Sequence, residues 1–106
     1  MFYIKQNDTG PSIRAALKNV DGVAVSLAGA TVRFHMRKLG SATAKVSAAA
    51  TIISATDGTV EYDWIAADTN TVGTYQAEFQ VTYSDLSVET FPNATYLKVK
   101  VIDDIA

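Results

Sequence analysis

Polar and apolar residues alternate one by one through much of this chain, and that period of two decides what it can fold into. Val32, Phe34 and Met36 point one way from their segment, and Arg33, His35 and Arg37 point the other. Tyr75, Ala77, Phe79, Val81 and Tyr83 repeat the pattern against Gln76, Glu78, Gln80 and Thr82. Leu97, Val99 and Val101 oppose Lys98 and Lys100, and Val60, Tyr62 and Trp64 oppose Glu61 and Asp63. Such strands have one oily and one wet face, which suits antiparallel sheets. The oily face must be hidden under another layer. No segment has the strong helical periodicity needed to supply that cover, so the second layer is a second sheet.

The expected fold is therefore all-β, an immunoglobulin-like sandwich of two antiparallel sheets. Strands are expected over 2–5, 12–18, 23–27, 30–38, 45–54, 59–65, 74–83, 86–91 and 95–102. Turn chemistry punctuates them: Asp21-Gly22 and Asp57-Gly58 read as hairpin turns, Gly73 precedes a strand, and Pro92-Asn93 breaks the chain. The alanine-rich stretch before Thr51-Ile52-Ile53 is read as a strand because β-branched residues follow it directly. Residues 66–71 read as a loop in which Asp68 caps a short helical turn. The 106 residues make one domain, 1–106. Polar, turn-like residues from Gln6 to Pro11 set off 1–11 as an extended N-terminal arm.

Composition narrows the function more than it names it. There are no cysteines, so no thiol nucleophile, disulfide or cysteine-bound zinc is available. Nine basic and eleven acidic residues give a net charge of -2. The basic residues are scattered along the sequence and read as no stripe for a phosphate backbone, so no nucleic-acid partner is expected. No apolar run reaches the length of a membrane-spanning helix, and no membrane insertion is expected. The start, Met1-Phe2-Tyr3-Ile4-Lys5, lacks the basic-then-apolar order of a signal peptide.

Candidate chemistry is sparse. His35 is the one histidine and falls on a polar strand face beside Arg33 and Arg37. No serine lies in a nucleophile-elbow context, and no second histidine would complete a zinc site. Glu61 and Asp63 share a strand face and read as solvated acids. Asp57 and Asp103-Asp104 do not resemble a calcium loop. The reading assigns no catalytic residue, metal or cofactor. Phe34, Trp64, Tyr75 and Phe79 are assigned to the core. Tyr75, following Gly73-Thr74 at the head of a long strand, is further assigned to a tyrosine corner, in which its hydroxyl bonds a nearby carbonyl. Phe2 and Tyr3 near a free end, and Tyr96, out of phase with Leu97 and Val99, are the candidate contact residues.

Five blocks occur in order: Asp8-Thr9-Gly10-Pro11-Ser12-Ile13, Leu27 to Arg37, Gly58 to Trp64, Gly73 to Phe79, and Val88-Glu89-Thr90-Phe91-Pro92. Together they resemble the N-terminal domain family of baseplate upper proteins from tailed bacteriophages and prophages. The resemblance implies a non-enzymatic structural or assembly module of the virion, in tail or baseplate. Such a module is made in the host cytoplasm and acts by contact with other phage structural proteins and with copies of itself. The alternative reading is a carbohydrate-binding or adhesive β-sandwich, which requires an exposed aromatic platform or a calcium-centred pocket for its glycan.

Overall fold

A computed structural model describes residues 1–105; Ala106, the last residue of the domain expected over 1–106, lies outside the described residues. Nine strands form: β1 (Phe2–Lys5), β2 (Ile13–Ala16), β3 (Thr31–Lys38), β4 (Ala44–Ala49), β5 (Thr51–Ser54), β6 (Thr59–Tyr62), β7 (Gly73–Thr82), β8 (Val88–Phe91) and β9 (Leu97–Ile102). One sheet has the order β1-β9-β7-β3-β4, with β8 also paired to β7, and the other has the order β2-β6-β5. This all-β, two-sheet sandwich has the strand arrangement of an immunoglobulin-like fold. The only helical element among the described residues is a 3-10 turn, Ala66–Asp68.

The alternating sets become the two faces of the larger sheet. Val32, Phe34, Met36, Tyr75, Ala77, Phe79, Val81, Val99 and Val101 are buried between the layers, and Val60, Tyr62 and Trp64 meet them from the smaller sheet. Phe34 lies at the middle of an aromatic group. It stacks on Tyr62 at 4.6 Å between centroids, meets Trp64 edge-on at 5.5 Å and tilts against Phe79 at 5.1 Å. Such contacts add about 0.5–1.5 kcal/mol each beyond the burial of their area. The Trp64 Nε1 is buried with no hydrogen-bond partner among the described residues.

The sheets depart from the expected pattern in four places. First, β1 runs parallel to β9, pairing Phe2 with Val99 and Lys5 with Ile102, so the larger sheet is mixed. The same pairing docks the start of the arm expected over 1–11, because Ile4 has an apolar slot to fill and is 3% exposed.

Second, the strand expected over 45–54 is two strands in different sheets. Ala50 donates its last bond to the carbonyl of Val32, and Thr51 then pairs with Glu61. Third, residues 23–27 form no strand. Only a Lys18–Ala24 bridge exists there, and Leu27 is pinned by its N–H to the Ala55 carbonyl as the chain crosses the end of the sandwich. The Asp21-Gly22 turn does reverse the chain, held by Asn19 Oδ1 accepting from Asp21 and Val23 N–H.

Fourth, Asp68 does not precede the helical turn as its cap but ends it. Its buried carboxylate reaches back to accept from the Ile65 N–H at 3.0 Å and from the Tyr62 hydroxyl. An acid in that position satisfies a free N–H at the start of the turn as a preceding cap would.

Candidate functional site

Where one parity of a strand fills the core, the other parity is left to meet whatever lies outside. On the larger sheet that outer set is Arg33, His35 and Arg37 of β3, Gln76, Glu78 and Gln80 of β7, Lys98 and Lys100 of β9, and Tyr3 and Lys5 of β1. Register aligns them in rows across the strands. His35 lies between Ser47 and Glu78, Arg37 and Gln76 share a row with Lys98, and Thr74 and Lys100 share one with Tyr3.

The sequence reading of the basic residues as scattered is corrected here. Positions 5, 33, 37, 98 and 100 are far apart in the chain, yet the sheet order sets β1, β9 and β3 on one surface. Five of the nine basic residues lie on it, against Glu78 as the one carboxylate at its strand positions among the described residues. Five cations less one carboxylate leave a surplus of four positive charges, in a chain whose net charge is -2.

The segment between β8 and β9 shapes this face. Phe91 pairs with Phe79 and Leu97 with Ala77, so residues 92–96 lie opposite the single residue Glu78 and leave the sheet as a bulge. That excursion sets Tyr96 beside Arg37. The Arg37 guanidinium carbon lies 5.4 Å from the Tyr96 ring centroid, and its Nη2 donates to the Tyr96 hydroxyl at 3.4 Å. Arg37 Nε donates to Gln76 Oε1 at 3.3 Å. Arg33 Nη2 donates to the Ser47 carbonyl at 2.9 Å. His35 Nδ1 is 3.7 Å from Glu78 Oε2, an ion pair only when the imidazole is protonated. A shallow cleft of about 280 Å³ opens between His35, Arg37, Ser47, Gln76, Glu78 and Tyr96.

Ser47, His35 and Glu78 form a row that contains the residue types of a hydrolytic triad, but not its bonds. The Ser47 hydroxyl accepts from Arg33, no hydrogen bond joins it to His35 among the described residues, and the His35–Glu78 separation exceeds hydrogen-bond length. The acids Glu61 and Asp63 are occupied on the other sheet. Glu61 accepts from Arg14 Nε at 2.7 Å, and Asp63 accepts from the Ser12 hydroxyl. No group of acids or histidines among the described residues is arranged to hold a metal.

The candidate contact residues separate. Phe2 points inward, half-buried against Trp64 at 5.9 Å between centroids. Tyr3 and Tyr96 are exposed on the outer face, 59% and 40%. Lys98 and Lys100 separate them along the sheet, so they do not form the adjacent platform that a sugar ring needs.

Of the core and corner candidates, Phe34, Trp64, Tyr75 and Phe79 are all at most 3% exposed. The Tyr75 hydroxyl donates to the Thr71 carbonyl at 2.5 Å, and burial raises its pKa. The sequence reading did not single out the cationic face. The signal was present in the outward parity of Arg33, Arg37, Lys98 and Lys100, and summing charge by parity finds it.

A family model described as the BppU N-terminal domain matches residues 2–101. No curated protein matches the chain.

Proposed function

Because the chain belongs to the BppU N-terminal domain family, that of phage baseplate upper proteins, we propose that it acts as one non-enzymatic domain of a phage or prophage virion. In this reading it is made in the host cytoplasm. It is then built into the tail or baseplate through contacts with other structural proteins and with copies of itself.

The observation that carries the reading is the extent of the family match, which spans both sheets from β1 into β9. The physical character of the domain supports it. A two-sheet sandwich holds its outer surfaces in fixed relative positions, and assembly stabilises by mass action a fold with no disulfides. The largest solvent-facing sheet surface carries tyrosine and arginine, residue types enriched at protein interfaces.

Light-scattering mass measurement tests the proposal, with the chain alone and mixed with purified tail and baseplate proteins encoded beside it. A defined complex is expected. A strictly monomeric profile in every mixture refutes it.

A further inference from the structure

We propose that the outer face of the six-stranded sheet docks an acidic protein surface, seating the partner's carboxylates against Arg33, Arg37, Lys98 and Lys100. This inference rests on the reading that the chain works through protein contacts, and it adds the chemistry of the partner.

Charge segregation is the first argument. Five cations and one carboxylate share this face, while the remaining four basic and ten acidic residues lie elsewhere, giving a deficit of six. Folding therefore concentrates positive charge that the sequence as a whole does not have. Such a field steers an oppositely charged partner and disfavours a like one.

The second argument is that these cations have no carboxylate partner among the described residues. The side-chain ion pairs among the described residues are Arg14 with Glu61, on the other sheet, and His35 with Glu78. Arg33 and Arg37 are instead held by neutral acceptors: the Ser47 carbonyl, Gln76 Oε1 and the Tyr96 hydroxyl. Neutral partners fix the direction of a guanidinium without cancelling its charge. A guanidinium has five N–H donors, so both keep donors for a carboxylate approaching from outside. Ordering them beforehand also lowers the entropy lost on binding. Exposed Tyr3 and Tyr96 add apolar area at low conformational cost.

Glu78 decides between a protein and a nucleic acid. Its carboxylate sits among the cations, opposite His35. A duplex presents phosphates at close, regular spacing and would force some of them against it. A folded partner can place a hydroxyl or a cation there.

The test titrates the ¹⁵N-labelled full chain with poly-L-glutamate and, separately, with double-stranded DNA at equal charge concentration. Poly-L-glutamate is expected to shift amide resonances of β3, β7 and β9 around Arg33, Arg37, Lys98 and Lys100, leaving β2 and β5 unmoved, and to lose affinity steeply with salt. The variant K98E/K100E is expected to weaken poly-L-glutamate binding by about tenfold or more, while K18E/K38E, with the same net charge off this face, stays within about twofold. All four lysines are exposed, and circular dichroism checks that both variants fold. Absent shifts, shifts spread evenly over the surface, equal binding of DNA, or equal losses in the two variants overturn the inference. Docking to baseplate proteins that survives K98E/K100E unchanged overturns it while the proposed function stands. Absent docking overturns the proposed function, and the poly-L-glutamate map then decides the inference alone.

Discussion

Raising the pH above 10 should destabilise this protein along a slope set by the buried Tyr62 and the half-buried Tyr83. An unfolded tyrosine ionises near pH 10. In the fold, burial and then the hydrogen bond to Asp68 push the Tyr62 pKa well up. Burial and then the hydrogen bond to Glu89 push that of Tyr83 up to about 12. Both hydroxyls donate to a carboxylate, so ionising either one would place two negative charges together. Below pH 10 both states hold these protons and the stability is fully present. Between 10 and the folded values the unfolded chain has shed protons that the folded chain keeps, so stability falls as pH rises.

Each such tyrosine contributes at most about 1.4 kcal/mol per pH unit, reached well above the unfolded pKa and below the folded one. Between pH 10 and 12 the buried Tyr62 removes about 2 kcal/mol, and the half-buried Tyr83 removes less because solvent screens it. Urea unfolding followed by Trp64 fluorescence at pH 9, 10, 11 and 12 reads this directly. The substitution Tyr62→Phe should lower stability by about 1 kcal/mol at pH 9 yet flatten the alkaline slope by at most about 1.4 kcal/mol per unit. A wild-type stability that stays level from pH 9 to 12, or a Tyr62→Phe slope equal to the wild type's, refutes the reasoning.

Two further outcomes follow from local geometry. Tyr75→Phe removes the hydroxyl that satisfies the Thr71 carbonyl and should cost about 1 kcal/mol, or roughly 4–8 °C in Tm, read by thermal denaturation; an unchanged midpoint would deny the corner its role. Gly58 has φ +67°, and an added Cβ would stand 2.7 Å from the Leu17 carbonyl oxygen and 2.8 Å from that of Val25. Gly58→Ala should therefore cost about 2 kcal/mol or more in urea unfolding, whereas Gly22→Ala, where nothing lies within 4 Å, should cost only the φ strain of about 1 kcal/mol.

The parity of side chains was legible because it is a local property. Phe34 and Phe79 had to point away from Arg33 and Glu78 whatever their neighbours turned out to be. For the same reason Tyr96 could be placed outside with Lys98 and Lys100 before any sheet was known. Parity does not say which strand lies beside which. Phe2 looked like a contact residue for want of a visible partner. The parallel pairing of β1 with β9 carries it to Trp64, more than sixty positions away in the chain. The run from Ala44 to Ser54, with three alanines in a row before Thr51-Ile52-Ile53, carries no mark of a change of sheet, and only the crossing at Ala50 divides it.

The amino-acid order thus determined the all-β class and the oily and wet faces of the strands. Tertiary structure alone decided the parallel N-terminal strand, the exchange of sheets at Ala50, and the meeting of cations from positions 5, 33, 37, 98 and 100 on one surface. The physical reason is that side-chain alternation follows from backbone geometry one residue at a time. Strand neighbours are chosen by where the chain can cross, turn and still bury every apolar face.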